Sequence, residues 1–80
     1  MNNDHQLALD EDLPGDLWAS TVRLTIDHGF GGTPLWYETM VFPTGSYSDI
    51  ACERYETEEE ARAGHARIVA SILDGTFQGY

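Results

Sequence analysis

Residues 57–75 read TEEEARAGHARIVASILDG, and this stretch decides the fold. Thr57 followed three residues later by Glu60 is a capping box: the threonine hydroxyl accepts from the Glu60 amide while the Glu60 carboxylate reaches back. Glu58, Glu59 and Glu60 also place three carboxylates at the positive end of a helix dipole. The pattern predicts a helix that runs to about Asp74 and stops at Gly75, a good left-handed cap, with a length of about 25 Å. At about 100° per residue, Ala61, Gly64, His65, Ile68, Val69 and Ile72 share one stripe, which predicts the face turned to the rest of the fold. Gly64 costs about 1 kcal/mol relative to alanine inside a helix, which is reasonable where the backbone must approach an aromatic side chain closely.

Upstream of the helix the apolar period changes from that of a helix to that of a strand. Leu35–Phe42 is apolar on both faces, with Trp36, Met40 and Phe42 on one side and Leu35, Tyr37 and Val41 on the other, so it belongs in the middle of a sheet. Trp18–His28 alternates, with Trp18, Val22, Leu24 and Ile26 on the apolar side and Thr21, Arg23, Thr25 and Asp27 opposite. Asp49–Glu56, after Pro43 and Gly45, carries a third and weaker strand with Ile50, Cys52 and Tyr55. Residues 1–17 hold five acidic residues, four spaced leucines (Leu7, Leu9, Leu13, Leu17) and Pro14-Gly15, so they read as an acidic leader, partly flexible or docked on the sheet. The expected fold is α+β: a three-stranded antiparallel meander over residues 18–80 with one C-terminal helix packed on one face. One helix covers one face only, so the other calls for the leader, a second copy or a partner protein.

Eighty residues make one domain with an expected radius of gyration of about 12 Å. Fourteen acidic residues against four arginines and no lysine give a formal charge of −10. That field repels phosphate backbones and anionic lipid, so neither nucleic acid nor a membrane surface is an expected partner; a basic protein is. The N-terminus lacks the basic and apolar pattern of a signal peptide, and no apolar run reaches membrane-spanning length, so a cytoplasmic protein is expected. Cys52 is the only cysteine, which excludes an internal disulfide.

The chemistry-bearing residues are few. Gly29-Phe30-Gly31-Gly32 is followed by Thr33-Pro34 and another strand, and the chain has no lysine, so the loop reads as a hairpin connection rather than a phosphate cradle. His28, Glu38 and His65 are the candidate metal ligands, yet they have no diagnostic spacing, and neither a metal nor a cofactor is expected. His65 lies on the buried stripe and reads as a core histidine bonded to a carboxylate or tyrosine, with Glu38 and Tyr55 as the candidates. Cys52 with His65 is the one nucleophile–base pair to name, and a buried strand cysteine is ordinarily inert, so no enzymatic activity is expected.

The segments STVRLTIDHGFG (20–31), ETMVF (38–42) and RYETEEEARAGHARIV (54–69), in that order, resemble a family of small proteins of actinobacterial phages and prophages. The resemblance covers about residues 19–73 and carries no assigned activity. It implies motif positions at Asp27, His28, Phe30, Gly31, Glu38, Thr39, Met40, Arg54, Tyr55, Gly64 and His65. It also implies a phage protein acting in the bacterial host cytoplasm or in the virion. The expected role is binding a basic host protein, with carboxylates imitating DNA phosphates, or another phage protein, through Trp36, Met40 and Phe42 or through Asp10, Glu11 and Asp12. The alternative is an assembly component that forms a homodimer or larger object through the uncovered sheet face or an edge strand.

Overall fold

The computed structural model describes residues 7–25 and 31–80. Strands β1 (Ala8–Leu13), β2 (Leu17–Arg23), β3 (Tyr37–Pro43) and β4 (Ala51–Tyr55) precede helix α1 (Glu58–Asp74). All neighbours pair antiparallel in the order β1-β2-β3-β4, so the α+β fold is a four-stranded meander with one helix packed on one face. The radius of gyration is 12.8 Å.

The expected three strands become four because part of the acidic leader is itself a strand. Leu7, Leu9, Glu11 and Leu13 alternate with period two, and β1 joins β2 in the register Leu9↔Thr21, Glu11↔Ala19 and Leu13↔Leu17. Charged Asp10, Glu11 and Asp12 masked the alternation, because an edge strand tolerates carboxylates that a central strand does not. The leader's described part, residues 7–17, therefore extends the sheet sideways, and no described helix or strand lies over the second face. Pro14-Gly15-Asp16 makes the hairpin turn, with Gly15 and Asp16 both at positive φ (80° and 57°), values that glycine and aspartate tolerate best.

The helix forms as the capping box requires. The Thr57 hydroxyl accepts from the Glu60 amide at 3.1 Å, the Glu60 carboxylate accepts from the Thr57 amide at 3.2 Å, and Gly75 closes the last turn at φ 82°. Ala61, Gly64, His65 and Ile68 are its buried residues. Gly64 lies flat against the Tyr55 ring, which leaves no room for a Cβ. The core has two parts under the helix: Leu7, Tyr37, Tyr55 and Ala61 at one end, and Ala19, Val41 and Ile68 at the other.

Strand β2 reverses the expected burial. Its helix side carries Ala19 and Thr21, both fully buried, while Trp18 and Val22 lie on the uncovered face. Small side chains let the helix approach, and Thr21 is buried because its hydroxyl is hydrogen-bonded, a condition hydropathy cannot express. The strand ends at Arg23 rather than at His28, and Ile26, Asp27, His28, Gly29 and Phe30 lie outside the described residues. Trp36 lies just outside β3, at the end of the sheet beside Leu7 and Val22. It precedes β3, packs against the Leu7–Tyr37 cluster and lies 5.4 Å beneath the Arg23 guanidinium.

After Gly75 the chain folds back beside β4. Thr76 and Phe77 donate backbone N–H groups to the Ser71 carbonyl, and Tyr80 donates its own to the Ile50 carbonyl at 2.8 Å. Gly79 stands so close to Ile50 that a Cβ there would strike the Ile50 carbonyl oxygen.

Candidate functional site

The two faces of the sheet carry different chemistry, and which face a residue occupies follows from its parity along the strand. On the helix side a hydrogen-bonded chain crosses all four strands. The Tyr55 hydroxyl donates to Thr39 Oγ1 at 3.0 Å, the Thr39 and Thr21 hydroxyls bond to each other, and Thr21 Oγ1 lies 2.7 Å from His65 Nδ1. His65 Nε2 then meets Glu11 Oε1 at 2.8 Å. Each hydroxyl has one proton, so donation running from Tyr55 through both threonines to Nδ1, with the ring proton on Nε2 donated to Glu11, satisfies every member. Among the described residues no buried side-chain polar atom lacks a partner.

His65 is thus the core histidine expected, but its carboxylate is Glu11 rather than Glu38. Tyr55 joins it only through two intervening hydroxyls. Thr21 and Thr39 are fully buried, and the Glu11 side chain, 47% exposed, is the solvent end of the chain. Glu11 was readable as the one charged member of the alternation Leu7, Leu9, Glu11, Leu13, and the two threonines by their matched positions on paired strands.

Burial pushes the Tyr55 phenol up to about 12, opposed by its bond to Thr39 and reinforced by the Glu53 carboxylate. An unfolded tyrosine titrates near 10, so the raised value gives stability that is complete below about pH 10 and is lost as pH rises through about 12. The urea midpoint is therefore expected to fall steeply over that alkaline window, and to fall less in Tyr55→Phe. Tyr80, whose bond to Asp49 also lifts it to about 12, should be replaced by phenylalanine in both proteins so that Tyr55 alone is read. An equally steep fall in the two proteins would refute the assignment.

On the uncovered face Glu38 pairs with Arg54 Nε at 2.9 Å and accepts from the Cys52 thiol at 3.6 Å. Burial, then the Glu38 carboxylate, pushes that thiol up, so it is held protonated. Glu38 and Cys52 thus lie on one side of the sheet and His65 on the other, and neither the metal set His28, Glu38, His65 nor the Cys52–His65 pair is assembled among the described residues. His28 itself lies outside them. No group of three or more metal-ligating side chains occurs among the described residues.

The same face carries an apolar ridge. Trp18 and Phe42 stack with ring centroids 5.1 Å apart and planes at 27°, and Met40 and Val22 continue the surface beside them. Asp10 and Asp12 border it from β1, opposite Ser20 and Trp18 in the register. Of the expected interaction residues, the structure brings together Met40, Phe42, Asp10 and Asp12. It turns Glu11 to the helix side, sets Trp36 at the end of the sheet beside Val22 and Leu7, and adds Trp18.

Among the described residues no helix is long and apolar enough to cross a membrane. Compared with protein-family models, with curated proteins and with solved structures, the chain finds no match in any of the three.

Proposed function

We propose that the protein is a non-enzymatic interaction protein whose uncovered sheet face binds a basic protein partner. The observation that carries this reading is the stacked Trp18–Phe42 pair on a sheet face that no described helix covers, bordered by Asp10 and Asp12. A small helix-on-sheet domain ordinarily buries one face and presents polar groups on the other; an aromatic pair on the second face is surface of the kind that protein interfaces use. The formal charge of −10 selects the sign of the partner, because opposite fields speed encounter and like fields suppress it. In the phage setting that the sequence resembles, the partner is a basic host protein, with surface carboxylates standing where DNA phosphates would.

The test is an affinity capture from bacterial lysate at low and high salt with the wild type, Trp18→Ser and Phe42→Ser. Both substitutions fall on the uncovered face, so the core under the helix is left intact. A protein that the wild type retains at low salt, that either variant loses and that salt releases supports the reading; retention unchanged by both variants overturns it. A second reading, self-association, draws on the same apolar pair, which a second copy would cover with its own. Light scattering at low and high salt separates the two. A salt-resistant dimer that Trp18→Ser dissociates establishes the second and removes the first.

A further inference from the structure

The chain holds four cations, and the structure accounts for each. Arg54 pairs with Glu38, Arg62 with Glu58 and Arg67 with Glu53. Arg23 lies 5.4 Å from the centroids of both Trp36 and Tyr37 and donates to the Tyr37 hydroxyl at 3.1 Å. None of them reaches Asp10 or Asp12 among the described residues.

Those two carboxylates sit where a guanidinium would be held. Asp12 is directly opposite Trp18, which is directly opposite Phe42, so one row across three strands reads carboxylate, indole, phenyl. Directly opposed residues of an antiparallel pair have Cβ atoms about 5 Å apart, and the next row on the same face, with Asp10, Ser20 and Met40, lies about 7 Å along. Asp10 and Asp12 are exposed and Trp18 and Phe42 half-buried, so the stacked pair is partly accessible beside two accessible carboxylates.

We propose that Trp18, Phe42, Asp12 and Asp10 form a docking site for an arginine side chain of a basic partner protein. The inference rests on the interaction reading above and names what the partner must present. A guanidinium is planar, is weakly hydrated, stacks on an indole and forks its N–H groups onto a carboxylate. The chain already solves this problem once internally, with Arg23 over Trp36 and Tyr37. An ammonium cage encloses its cation with rings on several sides, whereas Trp18 and Phe42 stack on each other, so the pair offers a single outer ring face, which suits a flat cation better than a round one. A second copy is the poorer occupant, because it brings another −10 and arginines that are already engaged.

The experiment titrates synthetic peptides into the isotope-labelled full-length protein and reads amide and indole NMR shifts. The probes are a short alanine-rich peptide with arginines at alternate positions and two sisters with lysine or neutral citrulline in their place. The arginine peptide is expected to move the Trp18 and Phe42 signals and to bind about tenfold more tightly than the citrulline peptide and about threefold more tightly than the lysine peptide. Asp12→Asn should weaken it about fivefold and Trp18→Leu at least as much, with Asp10→Asn smaller. Equal binding of arginine and citrulline, or binding indifferent to Asp12→Asn and Asp10→Asn, overturns the inference. Shifts on the ridge that do not distinguish lysine from arginine also overturn it, while leaving the interaction reading standing. Absence of any shift at Trp18 or Phe42 removes the arginine site. A salt-resistant dimer burying Trp18 removes the interaction reading itself.

Discussion

Replacing His65 with alanine is expected to lower the unfolding free energy by about 3 kcal/mol, read from urea denaturation followed by far-UV circular dichroism. The imidazole sits between the fully buried Thr21 hydroxyl and the Glu11 carboxylate, with its ring 6% exposed. Its removal leaves the Thr21 hydroxyl without an acceptor in an apolar surrounding, which costs about 1–3 kcal/mol, and opens a void the size of the ring. Glu11 adds little to the total, because its side chain is half in water and regains solvent when the histidine goes. Thr21→Val tests the same chain from its middle, since it keeps the shape, removes the donor to Nδ1 and leaves Thr39 short of a partner. A loss below about 1 kcal/mol in both variants would mean that the crossing chain is a passenger rather than a support.

Gly64→Ala is expected to destabilise by about 1–2 kcal/mol, the opposite of what helix propensity alone predicts. Propensity returns about 1 kcal/mol when alanine replaces a helical glycine, but the new Cβ would clash with the hydroxyl end of Tyr55, at its oxygen, Cζ and Cε1. That ring cannot swing aside freely: its hydroxyl is bonded to Thr39, and its body packs with Leu7, Tyr37 and Ala61. Overpacking of this kind costs about 1–3 kcal/mol, so the clash outweighs the propensity gain. The same substitution in a Tyr55→Ala background removes the obstacle and should become neutral or stabilising, a coupling that a double-mutant cycle measures directly. Stabilisation by Gly64→Ala in the otherwise wild-type chain would sink this account of the helix–sheet contact.

The helix was the most legible element because its signals are local and redundant: a capping box, a left-handed glycine and an apolar stripe all agree. The contact between Gly64 and an aromatic ring was legible for a related reason, since a glycine at the centre of such a stripe has few other uses. Strand β1 was not legible as a strand. Three consecutive carboxylates outweighed the leucine alternation around them, and only the edge position makes that composition acceptable. The buried side of β2 was misread because hydropathy ranks Trp18 above Thr21, whereas burial of Thr21 depends on a hydrogen bond supplied from a helix more than forty residues away. His65 was correctly read as a core histidine, but Glu38 was sought as its partner although its neighbour Thr39 is the residue that faces the helix. One position along a strand decided the matter. The stacked pair escaped for the same reason, since Trp18 shares the face of Phe42 and Met40 while Ala19 and Thr21 turn to the helix.

Both lateral edges of the sheet carry features that discourage the addition of a further strand. On one side β1 presents Asp10, Glu11 and Asp12 in succession, so a second strand would have to lay its backbone along a line of like-charged side chains. On the other, the returning C-terminal segment lies against Ile50, just before β4, through the Tyr80–Ile50 bond and the close approach at Gly79. Fibrils elongate by adding strands at such edges, and a chain rich in aromatic and β-branched residues is exposed to that fate. The apolar contact that Trp18 and Phe42 offer therefore lies broadside, on a face of the sheet, rather than along an edge where strands add.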